Sequence, residues 1–370
     1  MEKINIKQAV SMITLYAIGS AIVLASGAGA KQDMWIAISL GFLLFIPFLL
    51  CYSYIISQNQ EKDFIKQLEK LFGKILSKII LAMFLWYAFD LGALVFRNFS
   101  EFIQVVSFPE TPQYYIVLPM GFICIWAVRS GISTIARWSA FTAPLLVFLI
   151  LFMIVLSIPS MQPDNLLPML YEGWKPIIDN GLNVFAFPFA ETVLFLFILP
   201  SLDKQNKSAA AYIAGSSIAF ILIALASARN IMVIGRQTVQ MIYFPSYAAV
   251  GIIDVANVIQ RIEVLVSTSF MFGGFLKISL CLYVSCKCLA GLFNETDYKI
   301  FASPLCILMM GLSMILYDNV MEMFSWAEEI YKYYAFPFQV IIPVIILTAC
   351  IIDKRKSSTA TQKTANENKT

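Results

Sequence analysis

Ten times along this chain an apolar run approaches the length of a membrane span, and that recurrence limits the fold more than any other feature. A bilayer core of about 30 Å needs about 20 apolar residues in a helix. The runs lie near 9–30, 35–56, 79–106, 114–128, 139–158, 182–199, 209–228, 265–289, 301–317 and 335–352. Composition agrees, with 59% of residues hydrophobic and 13% charged, against about 45–50% and about 25% in soluble domains. The chain reads as an all-α integral membrane protein with ten transmembrane helices. Lys31 and Asp33 follow the first run without a cleavage site, and a second run starts at once, so the first is expected to stay in the mature protein.

The residue types present exclude whole classes of chemistry. Histidine is absent, which removes Ser-His-Asp triads, His-paired thiols and His-ligated metals. The seven cysteines lie in or beside apolar runs, and Cys286 and Cys288 form a lone C-x-C without the spacing of a zinc site. Neither a phosphate-binding loop nor a dinucleotide fingerprint is present. No cofactor, metal, nucleic-acid partner or catalytic constellation is expected, and the chain does not read as an enzyme.

Lysine and arginine set the orientation. With the N-terminus in the cytoplasm, inner segments carry Lys3 and Lys7, the series Lys62, Lys66, Lys70, Lys74 and Lys78, and Lys354, Arg355 and Lys356, among others. The last long loop, with Glu322, Glu328 and Glu329, then lies outside. Both termini are expected in the cytoplasm. Residues 1–352 form one membrane domain, and a polar tail over 353–370 reads as disordered. Apolar residues at helical spacing among the lysines of 61–78 predict an amphipathic helix on the inner leaflet. The interrupted stretch 230–263 reads as an outer lid or re-entrant cover.

Function in such a protein belongs where the helical pattern fails. In span six, Phe187, Pro188, Phe189, Ala190 and Glu191 place a proline and a carboxylate near mid-depth, which predicts a broken helix. Span one has small residues at the matching place, Ala17, Gly19 and Ser20, and is read as a second break. Ten spans divide into two sets of five, and an odd number per set makes the halves inverted. Paired interruptions in two such halves mark a transporter-type binding site. Three buried charges fall at similar depth: Asp90 in span three, Glu191 in span six and Lys277 in span eight. They either hold the bundle together or line the ligand or ion site. Arg97 and Glu101, four residues apart, read instead as a local ion pair.

These residues carry a resemblance. The ten-span layout, the opening from Gln8 to Ser20 and the Phe187-Pro-Phe-Ala-Glu191 break followed by Val193-Leu-Phe-Leu resemble a spore germination permease. So do Arg261-Ile-Glu263 and the loop Pro163-Asp-Asn-Leu-Leu-Pro168. That family is the B subunit of GerA-type germinant receptors, within the amino acid–polyamine–organocation superfamily. The resemblance implies a five-plus-five inverted repeat of the leucine-transporter type with helices one and six broken. It further implies a small germinant, typically an amino acid, A-type and lipoprotein C-type partner subunits, and the spore inner membrane. The family's pocket, carried onto this chain, takes Ala17, Gly19 and Ser20, Phe187 to Glu191, and Lys277 and Cys281 from span eight. Lys277 stands where several amino-acid receptors of this type have a small polar residue. It is read either as a tethered cation bridging carbonyls near Ala17 and Gly19, or as the partner of one carboxylate. A proton-coupled amino-acid transporter working through Glu191 or Asp90 is the alternative function.

Overall fold

The computed structural model describes residues 3–59, 62–252 and 262–367, with side chains as far as residue 356. The first half holds α1 (Ile6–Leu24), α2 (Met34–Ser57), α3 (Phe64–Val106), α4 (Gln113–Ser130) and α5 (Ile132–Ser157). The second holds α6 (Trp174–Val184), α7 (Ser208–Ile234), and the short α8 (Thr238–Met241) and α9 (Pro245–Gly251). It continues with α10 (Val264–Phe293), α11 (Ala302–Ile315), α12 (Val320–Glu329), α13 (Tyr331–Phe336) and α14 (Ile342–Glu367). Nine helical runs among the described residues are long and apolar enough to cross a bilayer. The remaining expected span is α4, whose 18 residues start at Gln113 and finish with Arg129 and Ser130, which dilutes its apolar character. Phe122, Trp126, Phe141 and Phe148 on α4 and α5 are well exposed, as a lipid-facing surface requires.

Span six breaks where the proline predicts. After α6 the chain makes a π-turn over Phe185–Phe189, with Phe187 at φ −132° and ψ 116°, and continues as tighter 3₁₀ turns over Ala190–Phe197. Span one does not break. A capping box between Asn5 and Gln8 starts α1, and the helix runs without interruption through Ala17, Gly19 and Ser20 to Leu24. The reason is energetic. A helical glycine costs about 1 kcal/mol relative to alanine, whereas each unsatisfied backbone group in the bilayer costs several kcal/mol. Gly19 serves close packing instead: a Cβ there would stand 2.8 Å from the carbonyl oxygen of Gly273 on α10. The chain leaves helical geometry only after α1, with Ala25 at φ 50° and Gly27 at φ 86°.

Two further expectations change. The amphipathic segment is the first part of α3, cut from the rest at Gly73, whose φ of 74° only glycine adopts easily. Its apolar face packs on protein rather than lipid, with the Phe64 ring 4.8 Å from Phe197 and 6.5 Å from Phe84. At the far end, α14 continues to Glu367 where a disordered tail was expected from 353, since no glycine or proline follows Pro343 to stop it.

The bundle has two distinct ends. At one, Ile4 pairs with the segment after span six: its N–H donates to Ser201 O at 3.0 Å, and Asp203 N–H donates to Ile4 O at 3.0 Å. Lys78 there donates to Leu292 O, and Lys70 lies 3.5 Å from Asp353. At the other end, Lys31 pairs with Glu172, and Phe324 of α12 packs on Tyr243 and Phe244. That aromatic contact joins α12 to the described part of the expected cover. Residues 253–261, with Arg261, lie outside the described residues.

Candidate functional site

Lys277 and Glu191 meet in the middle of the bundle. Both are essentially inaccessible, at 0% and 1% exposure, and they form a direct ion pair. α10 delivers the lysine and the 3₁₀ segment after the break delivers the carboxylate. Lys277 Nζ also lies 3.1 Å from Ser20 Oγ, and 4.6 and 5.3 Å from the ring centres of Phe187 and Tyr16. Such faces stabilise a desolvated ammonium. The other carboxylate oxygen of Glu191 accepts the Tyr331 hydroxyl at 2.5 Å. A buried pair depends on hydrogen bonds from its surroundings, and here Ser20 of α1 and Tyr331 of α13 supply them.

The carbonyls released by the break are taken up by side chains. Gln339 Nε2 donates to Ala186 O at 2.9 Å, Thr192 Oγ1 to Phe189 O at 2.6 Å, and the Tyr212 hydroxyl to Thr192 O at 2.9 Å. The carbonyls near Ala17 and Gly19 stay within a helix, so a lysine bridge to them is replaced by the Ser20 hydroxyl.

A cavity of about 90 Å³ opens above the ion pair. Its floor is Phe187, Glu191 and Lys277, and its walls include Ser26 after α1 and Asn183 of α6. Ser26 Oγ and Asn183 Oδ1 are buried without a hydrogen-bond partner among the described residues. The cover is α12, with Trp326 inward and Glu328 at the exposed edge. Partial burial, and then the neighbouring Glu329, raise the Glu328 carboxyl above its ordinary range.

Of the residues singled out in the sequence, Phe187, Glu191 and Lys277 line the cavity, and Ser20 touches it through Lys277. Ala17 and Gly19 face α1's neighbours, while Pro188, Phe189 and Ala190 are buried behind the break. Cys281 lies one turn below Lys277, with its sulfur 3.9 Å from the Tyr16 hydroxyl. Asp90 is buried but makes no ion pair among the described residues; it lies beside Tyr334. Arg97 and Glu101 pair locally at 2.7 Å. Sequence reasoning missed Tyr331, Gln339, Asn183 and Ser26. One signal was available, because Ala-Phe-Pro-Phe occurs at both 186–189 and 335–338, and the second copy leads into Gln339.

An all-helical bundle with span six broken around a buried ion pair is a multi-pass membrane protein of the leucine-transporter type. Solved structures agree on the fold. The nucleobase-cation-symport-1 family transporter Mhp1, closed with bromovinylhydantoin bound, matches with a TM-score of 0.70 at 14% identity, over 94% of this chain and 78% of that one. MhsT in complex with L-phenylalanine matches with a TM-score of 0.62 at 15% identity, over 93% of this chain and 97% of that one. The family model for spore germination proteins matches residues 3–320, and the chain belongs to that family. Spore germination protein KB of Bacillus subtilis (strain 168) is 26% identical over 362 residues, 96% of this chain and 97% of its own length. Spore germination protein XB of Bacillus anthracis is 22% identical over 253 residues, 68% of this chain and 70% of its own length.

Proposed function

We propose that this chain is the germinant-sensing membrane subunit of a spore germination receptor, and that it binds an amino acid in the cavity above Lys277 and Glu191. The observation that carries the reading is the ion pair itself, buried at the cavity floor beside the break in span six. A zwitterion is complementary to such a pair: its carboxylate exchanges onto Lys277 while its ammonium takes Glu191 or the unpartnered Asn183 Oδ1 and Ser26 Oγ. The charge count in the closed site stays balanced, which a singly charged ligand would not allow. MhsT, of the same fold, was solved with L-phenylalanine, which supports an amino acid of this size class. Membership of the germination family supports A-type and lipoprotein C-type partners, residence in the spore inner membrane, and termini in the cytoplasm. The described lid segments and α12 would then face outward.

Thermal unfolding of the purified protein against the twenty amino acids tests the ligand. At least one is expected to raise the melting temperature in the wild type and to lose that effect in Glu191→Gln. Stabilisation by uncharged small molecules alone sinks the zwitterion reading. The second reading, proton-coupled amino-acid transport, is favoured by the hydroxyls of Tyr331 and Tyr87, which lead away from Glu191. Accumulation of the bound amino acid in proteoliposomes under an imposed proton gradient would establish it.

A further inference from the structure

The two copies of Ala-Phe-Pro-Phe break two different spans. The first gives the π-turn Phe185–Phe189 in span six, and the second gives a π-turn over Pro337–Ile341 between α13 and α14. Proline removes a backbone donor and pushes away the preceding turn's carbonyl, and π-turns concentrate at functional positions. The side chain between the two breaks is Gln339, fully buried at 0% exposure. Its Nε2 donates to Ala186 O at 2.9 Å, in the first break, and to the Tyr87 hydroxyl at 2.8 Å. Its own carbonyl accepts the Tyr52 hydroxyl at 2.5 Å. From Tyr87 the chain of hydroxyls runs 3.3 Å to Tyr331 and 2.5 Å on to Glu191. Gln339 Oε1 has no hydrogen-bond partner among the described residues. A leucine or methionine would fill the same space without an unsatisfied oxygen, so packing alone does not account for an amide here.

We propose that Gln339 is a positioning residue that couples the break in span ten to the break in span six, so that the state of the Glu191–Lys277 pair is transmitted to span ten. The connections define how. When Glu191 exchanges Lys277 for another partner, the Tyr331 hydroxyl loses or reorients its acceptor, and the change passes through the Tyr87 hydroxyl to Gln339 in the Pro337 turn. The Gln339 amide donates one N–H to Tyr87 and the other to Ala186 O, so a Tyr87 hydroxyl that turns toward or away from Tyr331 shifts the amide that holds Ala186 O. The ligand's part in this rests on the cavity reading above; the coupling between the breaks does not.

Hydrogen exchange measured by mass spectrometry on the purified full chain in nanodiscs tests it without a ligand. Gln339→Met is expected to speed exchange in peptides from both breaks, by about tenfold, as for the loss of one internal hydrogen bond. Val340→Ala, a packing change in the same turn with no polar link, is expected to affect the second break alone. Glu191→Gln is expected to alter exchange at 337–341 in the wild type and to leave it unaltered in Gln339→Met. Additive effects of Glu191→Gln and Gln339→Met, or loosening confined to 337–341, overturn the coupling. Should Gln339→Met fail to fold, Tyr87→Phe cuts the same chain one link earlier, and additivity of Glu191→Gln with it is equally fatal. Adding an amino acid that stabilises the protein repeats the test through the cavity. If none binds while the Glu191→Gln arm is non-additive, the cavity reading fails and the coupling stands.

Discussion

Lys277 and Glu191 hold opposite charges at a depth where neither is tolerated alone. Removing one partner of a buried pair costs about 3–5 kcal/mol, because the other is left uncompensated. Lys277→Met is therefore expected to lower stability by that amount, while Lys277→Met with Glu191→Leu loses much less. Denaturant unfolding of the three proteins measures the difference, and a Lys277→Met variant as stable as the wild type contradicts the pairing. In spores the single variant is expected to abolish the germinant response at near-normal membrane levels. Glu328 makes the opposite kind of statement. Partial burial and then Glu329 hold its carboxyl above the ordinary range, so it takes up its proton at a higher pH than a free glutamate and is a cost to the fold while ionised. Glu328→Gln is expected to stabilise the protein slightly at neutral pH and to flatten any acid-side fall in ligand affinity; an unchanged pH profile removes it from the entrance. At this scale the sequence revealed the two charges, since a lysine or glutamate within an apolar run stands out. It hid their partners. Tyr331 and Gln339 are ordinary residues until α13 is folded back over the break, and no local pattern announces that.

At the scale of elements, Pro188 and Gly19 are instructive opposites. A proline acts on its own helix, and its effect can be read from the chain alone. A glycine's effect depends on what approaches it, and here that is the backbone of Gly273 across the α1–α10 crossing. Gly19→Leu is accordingly expected to fail through packing, not by filling the cavity. Even a single added methyl overpacks the crossing at about 1–3 kcal/mol. Gly19→Ala should thus lower the melting temperature without changing the ligand concentration needed for half-stabilisation. A weakened affinity at unchanged stability would return Gly19 to the site. The basic segment at 64–72 follows the same logic. Its helical spacing was legible, but whether its apolar face met lipid or protein depended on Phe197, far away in sequence, and on how the Gly73 turn sets Phe64 against Phe84.

For the whole molecule, most of the spans were legible because the bilayer sets a length that nine helical runs among the described residues satisfy, with α4 too polar at its ends to count among them. The match of the whole bundle to transporters only 14–15% identical shows how little of the fold depends on particular residues. The placement of charge is more particular to this chain: lysines gather at the end with Ile4 and Asp353, and Glu322, Glu328 and Glu329 at the end with α12. Single reporter cysteines at Lys70 and Glu322, in a background without the seven native thiols, are expected to react from opposite faces of sealed vesicles, with Lys70 on the cytoplasmic side. Reaction from the same face contradicts the two-ended bundle.

The hydrogen-bonded seat of Ile4 on Ser201 and Asp203 has a mechanical meaning. Ile4 rides on the segment that follows Phe197, and that segment continues the lower half of the broken span whose upper end carries Glu191. The cavity floor and the seat of Ile4 are thus two ends of one short rod. Whatever tilts the rod at the ion pair swings residues 3–5 at the far surface, like the needle of a gauge read outside the vessel. A probe attached there would register events at the cavity floor without ever entering the cavity.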